Sequence, residues 1–486
     1  MSGQERRARR AGIVLTVALA VSSPGALPAA RAASSAQSQT MTGGAAETAD
    51  TARSPGTPDP RLDRLEREIA ELKAELARLA AQGSAAEKDR LAEIERRIDV
   101  LAGEIERLRV GEEVAGATNP EQGMGPAAAK VYRTRRGVSL GGYGEALYEG
   151  FRKRRDDGAP AGESDRLDLL RGVVYVGYKW TDRWLLNSEL EWEHANTDKG
   201  GEAAVEFAYL DYRWRPELSF RGGLLLMPVG ILNELHEPTT FLSARRPEVE
   251  TLLIPTTWRE SGAGVYGQAG ALSYRAYLTG GLDASGFSAA EGLHEGSAEG
   301  SNAKANDLAG VARLDWTPRP GLVAGFSLFH GGSGQGLTDA SGRRLVVGTT
   351  LAEGHLEWRV RGLELRALGV RVALSDVAAL DRARELAESI GDRLEGGYVE
   401  LGYDVFAAFP HGEQALVPFV RYERVNTQAS VPAGFAADPA NDARIWTLGL
   451  AYRPIPQVIF KTDYQNYDNR SGSGLDRFHL ALGYIF

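Results

Sequence analysis

The sequence predicts an all-β chain: a 16-stranded antiparallel transmembrane β-barrel preceded by an N-terminal α-helical coiled-coil segment. Three observations predict it. From Val138 to Phe486, apolar and polar residues alternate with a period of 2. Short and long connections between those segments alternate strictly. Aromatic residues recur beside the short turns.

Composition sets the outer limits. The 486 residues include 58 Gly and no Cys, which excludes disulfide scaffolds, thiolate metal sites, iron–sulfur clusters and cysteine nucleophiles. A charged fraction of 25% argues against a bundle of membrane helices, and a net charge of −9 argues against nucleic-acid binding, which needs a basic footprint.

The chain opens with Arg6, Arg7, Arg9 and Arg10, an apolar stretch Ala11–Val21, and Ala30-Arg31-Ala32 as a cleavage site. Residues 1–32 therefore read as a signal peptide, with an uncleaved anchor as the alternative. Residues 33–60 are rich in Ala, Ser, Thr, Gly and Pro and read as a flexible linker. Over 61–110 the pattern changes. Leu62, Leu65, Ile69, Leu72, Leu76 and Leu79 are spaced 3-4-3-4-3, and Leu91, Ile94, Ile98, Leu101, Ile105 and Leu108 repeat that spacing. Each run puts an apolar seam on one helix face, as a coiled coil requires. Two arrangements fit: a parallel intermolecular coiled coil with a skip, or an intrachain hairpin turning at Gly83. Residues 111–137 read as a second linker, and 138–486 as the barrel. No plug domain is expected ahead of it.

Within the barrel region, Leu186, Leu190 and Trp192 share one strand face, while Asn187, Glu189, Glu191 and Glu193 share the other. Short connections fall at Thr181-Asp182, Arg215-Pro216, Gly270-Ala271, Thr317–Pro320, Arg361-Gly362, Pro410–Gln414 and Arg453–Pro456. The longer ones lie around 152–165, 196–201, 230–258, 284–306, 332–343, 375–393, 426–442 and 469–474. Together they join sixteen strands with both ends of the array on the short-turn side, the asymmetry of outer-membrane barrels. Trp180 and Trp184 bracket the first short turn. Trp214-Arg215-Pro216, Trp316-Thr317-Pro318 and Tyr452-Arg453-Pro454 repeat an aromatic-x-Pro form, and Trp358 precedes another turn. Rings placed so read as an interfacial girdle. The alternation Phe478, Leu480, Leu482, Tyr484, Phe486 runs to the last residue, like the strand read by the outer-membrane barrel-assembly machinery.

Sixteen strands enclose a lumen too wide for side chains to fill. The third long connection, Gly230–Trp258, is chemically dense, and folded inward it would form a pore constriction. Its charged set, with the strand start that follows, is Arg245, Arg246 and Arg259 opposed by Glu234, Glu237 and Glu260, together with His236. Lumen-facing positions on the strands are Arg213, Arg275, Arg313, Arg359, Lys461, Glu189, Glu191 and Glu193.

Ala208-Tyr209-Leu210-Asp211-Tyr212-Arg213, Met227-Pro228-Val229-Gly230 and Pro255-Thr256-Thr257-Trp258-Arg259-Glu260 resemble the phosphate-selective porin O/P-type family. The resemblance covers roughly residues 138–486 and is most specific around 205–270. It implies a trimeric outer-membrane channel with a constricting third loop, and anions such as phosphate as solutes. One departure stands out. From residue 131 onward there are 38 Lys+Arg against 46 Asp+Glu, whereas phosphate channels of that family use a dense basic lining.

Other motifs carry little. Gly262-x-Gly264-x-x-Gly267 lies within a strand pattern and opens no helix, His236-Glu237 does not continue to HExxH, and no nucleophile motif is present. Leu380–Ile390 reads as a short helix inside an external loop. No cofactor, metal or catalytic residue is expected. The sequence thus predicts an outer-membrane porin for small hydrophilic solutes or ions. Its expected partners are membrane lipid, two further copies in a homotrimer, and the assembly machinery. The alternative is a structural barrel with a closed lumen whose coiled coil tethers or spaces the envelope.

Overall fold

The computed structural model describes residues 121–409 and 412–486, together with 68, 71 and 72. The signal peptide, linker and coiled coil expected over 1–110 fall outside the described residues, apart from those three helical positions.

Sixteen strands close into one barrel, each antiparallel to its sequence neighbour, from β1 (Gly137–Phe151) to β16 (Arg477–Ile485). The seam pairs β1 with β16 from Tyr143↔Ile485 to Phe151↔Arg477. Phe486 completes it: its carbonyl accepts the Gly142 N–H at 3.0 Å, and its own N–H donates to Gly142 O at 2.9 Å. Closure leaves no strand edge unpaired.

Side-chain alternation turns this wall inside out relative to a soluble sheet. In β3 (Trp184–Glu193), Leu185, Asn187, Glu189 and Glu191 are buried, while Trp184 and Trp192 are exposed. In β16, His479 and Ala481 point inward, and Phe478, Leu480, Leu482 and Tyr484 point outward. The exterior carries apolar residues throughout, with Leu448 in mid-β14 (Asp442–Ile455) 67% exposed. The described helices include none long and apolar enough to cross a membrane.

Local chemistry explains the turns. Between β10 (Gly348–Val360) and β11 (Leu363–Leu374), Arg361 and Gly362 take φ of 47° and 83°, the mirror-image turn that suits a two-residue hairpin. Of the three aromatic-x-Pro segments, Trp214-Arg215-Pro216 leads into its turn as expected, with Pro216 just past the end of the strand at Arg215, whereas the other two lie inside strands. Pairing resumes beyond them, at Arg319↔Leu322 and Ile455↔Val458, after register shifts that begin at Trp316 and Tyr452. Pro318 and Pro454 sit inside those irregularities because proline cannot donate to a ladder. Exposed Trp180, Trp184, Trp214 and Trp316 ring this end of the barrel, with Arg215 stacked 4.1 Å over Trp214.

Two expectations need correction. Part of the stretch read as a linker, 111–137, is packed inside the barrel. There, Met124, Ala127–Ala129, Val131 and Tyr132 are buried, with a single helical turn, α1 (Lys130–Arg133). The small side chains of Ala127–Ala129 let the backbone press against the lumen wall, which a polar linker would have no reason to do. Secondly, the external-loop helix is α2 (Val377–Ala383), shorter and earlier than Leu380–Ile390. Asp381 turns the chain back by accepting the Ser389 hydroxyl at 2.6 Å and the Ile390 N–H at 3.2 Å.

Replacing Leu448 by Arg should cost about 2–4 kcal/mol of folding free energy in phospholipid vesicles, the penalty for a cation near the bilayer midplane. Denaturant titration of tryptophan fluorescence reads that loss.

Candidate functional site: the lumen loop and the segment beneath it

The candidate site is the lumen, crossed by residues 227–258 between β5 (Leu218–Leu226) and β6 (Arg259–Ala269). Asn233 ties the neck of this loop. Its side-chain N–H₂ donates to the carbonyls of Met227 (2.8 Å) and Trp258 (2.9 Å), and its Oδ1 accepts the Trp258 N–H (2.7 Å). Trp258 is buried and packs on Phe329 at 4.7 Å between ring centroids. Further in, Glu250 accepts the N–H groups of Ile231 (2.8 Å) and Leu232 (2.7 Å) and the Tyr398 hydroxyl (2.6 Å). The loop therefore has its own skeleton.

The wall then holds it around the circumference. His236 Nε2 lies 3.2 Å from both carboxylate oxygens of Glu189 on β3. Arg366 on β11 donates to Thr240 O, and Arg421 on β13 (Ala415–Ser430) donates to the Ser243 hydroxyl. On β15 (Val458–Asn469), Lys461 Nζ donates to Ser243 O at 3.0 Å, and Asp463 accepts the Ala244 N–H at 2.6 Å. Arg245 reaches Glu149 on β1 at 2.9 Å. A loop anchored on β1, β3, β11, β13 and β15 spans the lumen rather than lying along one side.

Residues 121–136 pack beneath it from the short-turn side, where β1 begins. Glu237 of the loop accepts N–H bonds from Ala127 (2.9 and 3.1 Å) and Ala128 (3.0 Å). At Gly125 the two segments approach closely: a Cβ would stand 2.6 Å from Glu237 Oε1, so any larger residue would displace that carboxylate from its bonds. On the wall side, the Tyr132 hydroxyl donates to Asp211 (2.8 Å) and accepts from Arg221 (2.7 Å), and Lys179 donates to Tyr132 O (3.1 Å). Asn187 donates to Ala128 O at 3.0 Å.

The residues singled out in the sequence are distributed as follows. Arg245 and Arg246 line a cavity of about 530 Å³ bordered by β1, β2 (Arg166–Lys179), β13, β16 and the loop. Glu234 lies elsewhere, paired with Arg275 (3.1 Å) and Arg313 (3.7 Å). Arg259 does not join the other two arginines; it pairs with Glu206 (2.9 Å) and Glu299 (2.6 Å). Glu260 accepts from the Trp258 indole (3.2 Å) and the Ser297 hydroxyl (3.1 Å). Among the strand positions, Arg275 and Arg313 both bond Asp315 (2.6 and 2.9 Å), and Arg359 pairs with Glu364 (3.7 Å). Glu191 and Glu193 share Arg171 (3.5 and 3.4 Å), Arg213 faces the Tyr132 ring at 5.9 Å, and Lys461 sits 3.4 Å over Phe241. The constriction set is thus several separate contacts, not one ring. Among the described residues no His/Asp/Glu cluster could hold a metal ion.

Glu145, Arg171 and Arg221 were not singled out from the sequence, although each alternates with outward residues on its strand. Tyr132 was missed because it precedes the period-2 pattern altogether.

Removing the Tyr132 hydroxyl (Tyr132→Phe) leaves the buried Arg221–Asp211 pair short of a partner, so about 1–3 kcal/mol of stability should be lost in a denaturant titration. Glu237 supplies a pH signature. Burial pushes its carboxyl up to about 7, against the opposing bonds from Ala128 and Ala127 and the nearby His236, with Glu189 adding to the rise. The folded chain then keeps a proton that the unfolded chain releases. Stability should fall as pH rises from the ordinary carboxylate range to about 7, then level off. In Glu237→Gln that portion of the decline should vanish from stability measured across the same range.

No protein-family model matches the chain. An uncharacterized protein of Aquifex aeolicus (strain VF5) is 37% identical over 394 residues, covering 78% of this chain and 87% of the relative. Similar solved structures include the loop-L8 deletion form of OmpT, an outer membrane protein of Vibrio cholerae. It shows 12% identity and a TM-score of 0.47, covering 73% of this chain and all of that one. The outer membrane channel DcaP of Acinetobacter baumannii shows 14% identity and a TM-score of 0.45, covering 72% and 97%. OmpF of Salmonella typhi, in complex with daunomycin, shows 12% identity and a TM-score of 0.46, covering 72% and 98%. With more than a third of its residues shared over most of both lengths, the chain belongs to the same family as the Aquifex aeolicus protein.

Proposed function

We propose that the protein is an outer-membrane porin, passing small hydrophilic solutes or ions by passive diffusion. The observation that carries this reading is the inversion of the wall, with apolar residues outside and paired charges inside, around a lumen narrowed by a tethered loop. The short turns face the periplasm, which is also the side expected for the sequence's coiled-coil pattern over 61–110. The oligomer is a homotrimer, assembled into the membrane by the barrel-assembly machinery.

Selectivity is the finer part of the proposal. Arg246 faces the cavity above the loop with no described carboxylate at ion-pair distance, which favours anions beside it, whereas Arg245 in the same cavity is already paired with Glu149. Arg259 contributes less, because Glu206 and Glu299 already neutralise it. A channel whose guanidinia are mostly paired with carboxylates passes phosphate without being dedicated to it.

Purified oligomer in planar bilayers should give discrete single-channel steps; a correctly folded oligomer without conductance would overturn the channel reading. Neutralising Arg245 and Arg246 together should move the reversal potential in a KCl gradient toward cation preference, and an unchanged value removes them from the filter. The lumen filling by 121–136 and 227–258 favours one rival, a closed barrel acting as an envelope tether. Deleting residues 33–120 separates the two: a porin keeps its conductance, whereas a tether loses its envelope phenotype.

A further inference from the structure

The cavity above the loop contains an imbalance in its charge pairing. Its charges are paired almost one for one. Glu149 meets Arg245 (2.9 Å) and His479 (3.1 Å), Glu163 meets Arg166 (2.7 Å), Glu248 meets Arg477 (3.4 Å), and Arg171 meets Glu191 and Glu193. Glu291 is exposed at the rim. Two groups remain, and they have opposite signs.

Glu145 on β1 is 3% exposed, and among the described residues it makes no hydrogen bond or ion pair; its Oε1 is a buried acceptor without a donor. Arg246 on the loop donates from Nη1 to the Thr256 hydroxyl at 2.7 Å, has no described carboxylate within ion-pair distance, and leaves Nη2 buried without an acceptor. Burying a carboxylate or a guanidinium without a partner is unfavourable. The other charges lining the cavity, the exposed Glu291 aside, each have an opposite charge within ion-pair distance, even where Arg171, Arg245 and Arg477 leave a buried Nε without a hydrogen bond. Leu170, Phe241, Leu252 and Val425 supply apolar wall to the same cavity. A cavity of about 530 Å³ lies within the range of small-molecule sites.

We propose that this cavity is a binding site for small zwitterionic solutes of the α-amino-acid type, with Glu145 receiving the ammonium and Arg246 the carboxylate. The inference rests on the channel reading and names a solute class for it. A simple anion would satisfy Arg246 but bring its charge toward Glu145; a simple cation would do the reverse. Only a solute carrying both charges completes both groups, so each unpaired residue acts as the repulsive element against the wrong class.

The test uses the full-length folded oligomer and three probes of similar size: L-alanine, lactate and protonated 1-aminopropan-2-ol. Binding is followed by calorimetry, and block of the ion current is followed in planar bilayers. L-alanine should bind saturably, with the other two weaker by about tenfold or more, the discrimination a site with unsatisfied polar groups can impose. Glu145→Gln should weaken L-alanine by a similar factor and narrow its advantage over lactate, while Glu145→Asp should recover part of the binding. Arg246→Gln should narrow the advantage over the aminopropanol instead, and it carries the comparison alone if Glu145→Gln fails to fold. Lactate binding as tightly as L-alanine, or L-alanine binding indifferent to both substitutions, overturns the site. Conductance without saturable L-alanine binding removes the site and leaves the channel standing. Absence of conductance removes the channel.

Discussion

Everything in this barrel depends on charges placed where the interior must neutralise them. The outer face is apolar, so polar alternate positions have nowhere to point but inward, and sixteen strands bring their carboxylates and guanidinia into one enclosed space. An unpaired charge there is far more costly than on a soluble surface. Asp315 bonded by Arg275 and Arg313, and Glu400 and Glu423 both bonded to Arg421, are the result. The strands supply pairs, and the pairs stiffen the wall.

The same requirement recruits the loop. Backbone carbonyls of Thr240 and Ser243, the Ala244 N–H and the Arg245 guanidinium are used by groups on three strands, β1, β11 and β15, that would otherwise lack part of their bonding. The loop is therefore not a flap laid over a finished pore; it is one of the components that satisfies the wall. Residues 121–136 extend this scheme one layer further, through Tyr132 on the wall side and the Ala127 and Ala128 N–H groups on the loop side.

Periodicity announced the barrel well because alternation is a local property: Leu186, Leu190 and Trp192 against Asn187, Glu189 and Glu191 needs only adjacent residues to be read. The aromatic-x-Pro segments were also visible, but their meaning was not. A proline marks a break in a ladder equally well at a turn or at an irregularity inside a strand, and register alone places Pro318 and Pro454 in the latter. The constriction residues were chosen for being charged and close in sequence. Closeness in sequence says little once a loop has turned: Arg246 faces the upper cavity while Glu237, nine positions earlier, holds the segment beneath.

From the chain alone came the strand number, the side bearing the short turns and the inversion of polarity, each set by neighbours a few residues apart. The tethering of the loop, the occupation of the lumen by 121–136 and the isolation of Glu145 and Arg246 depend on which strand faces which across the barrel. Those contacts join residues far apart in sequence, from 47 positions between Glu189 and His236 to 219 between Ala244 and Asp463, and no pattern written along a single strand encodes them.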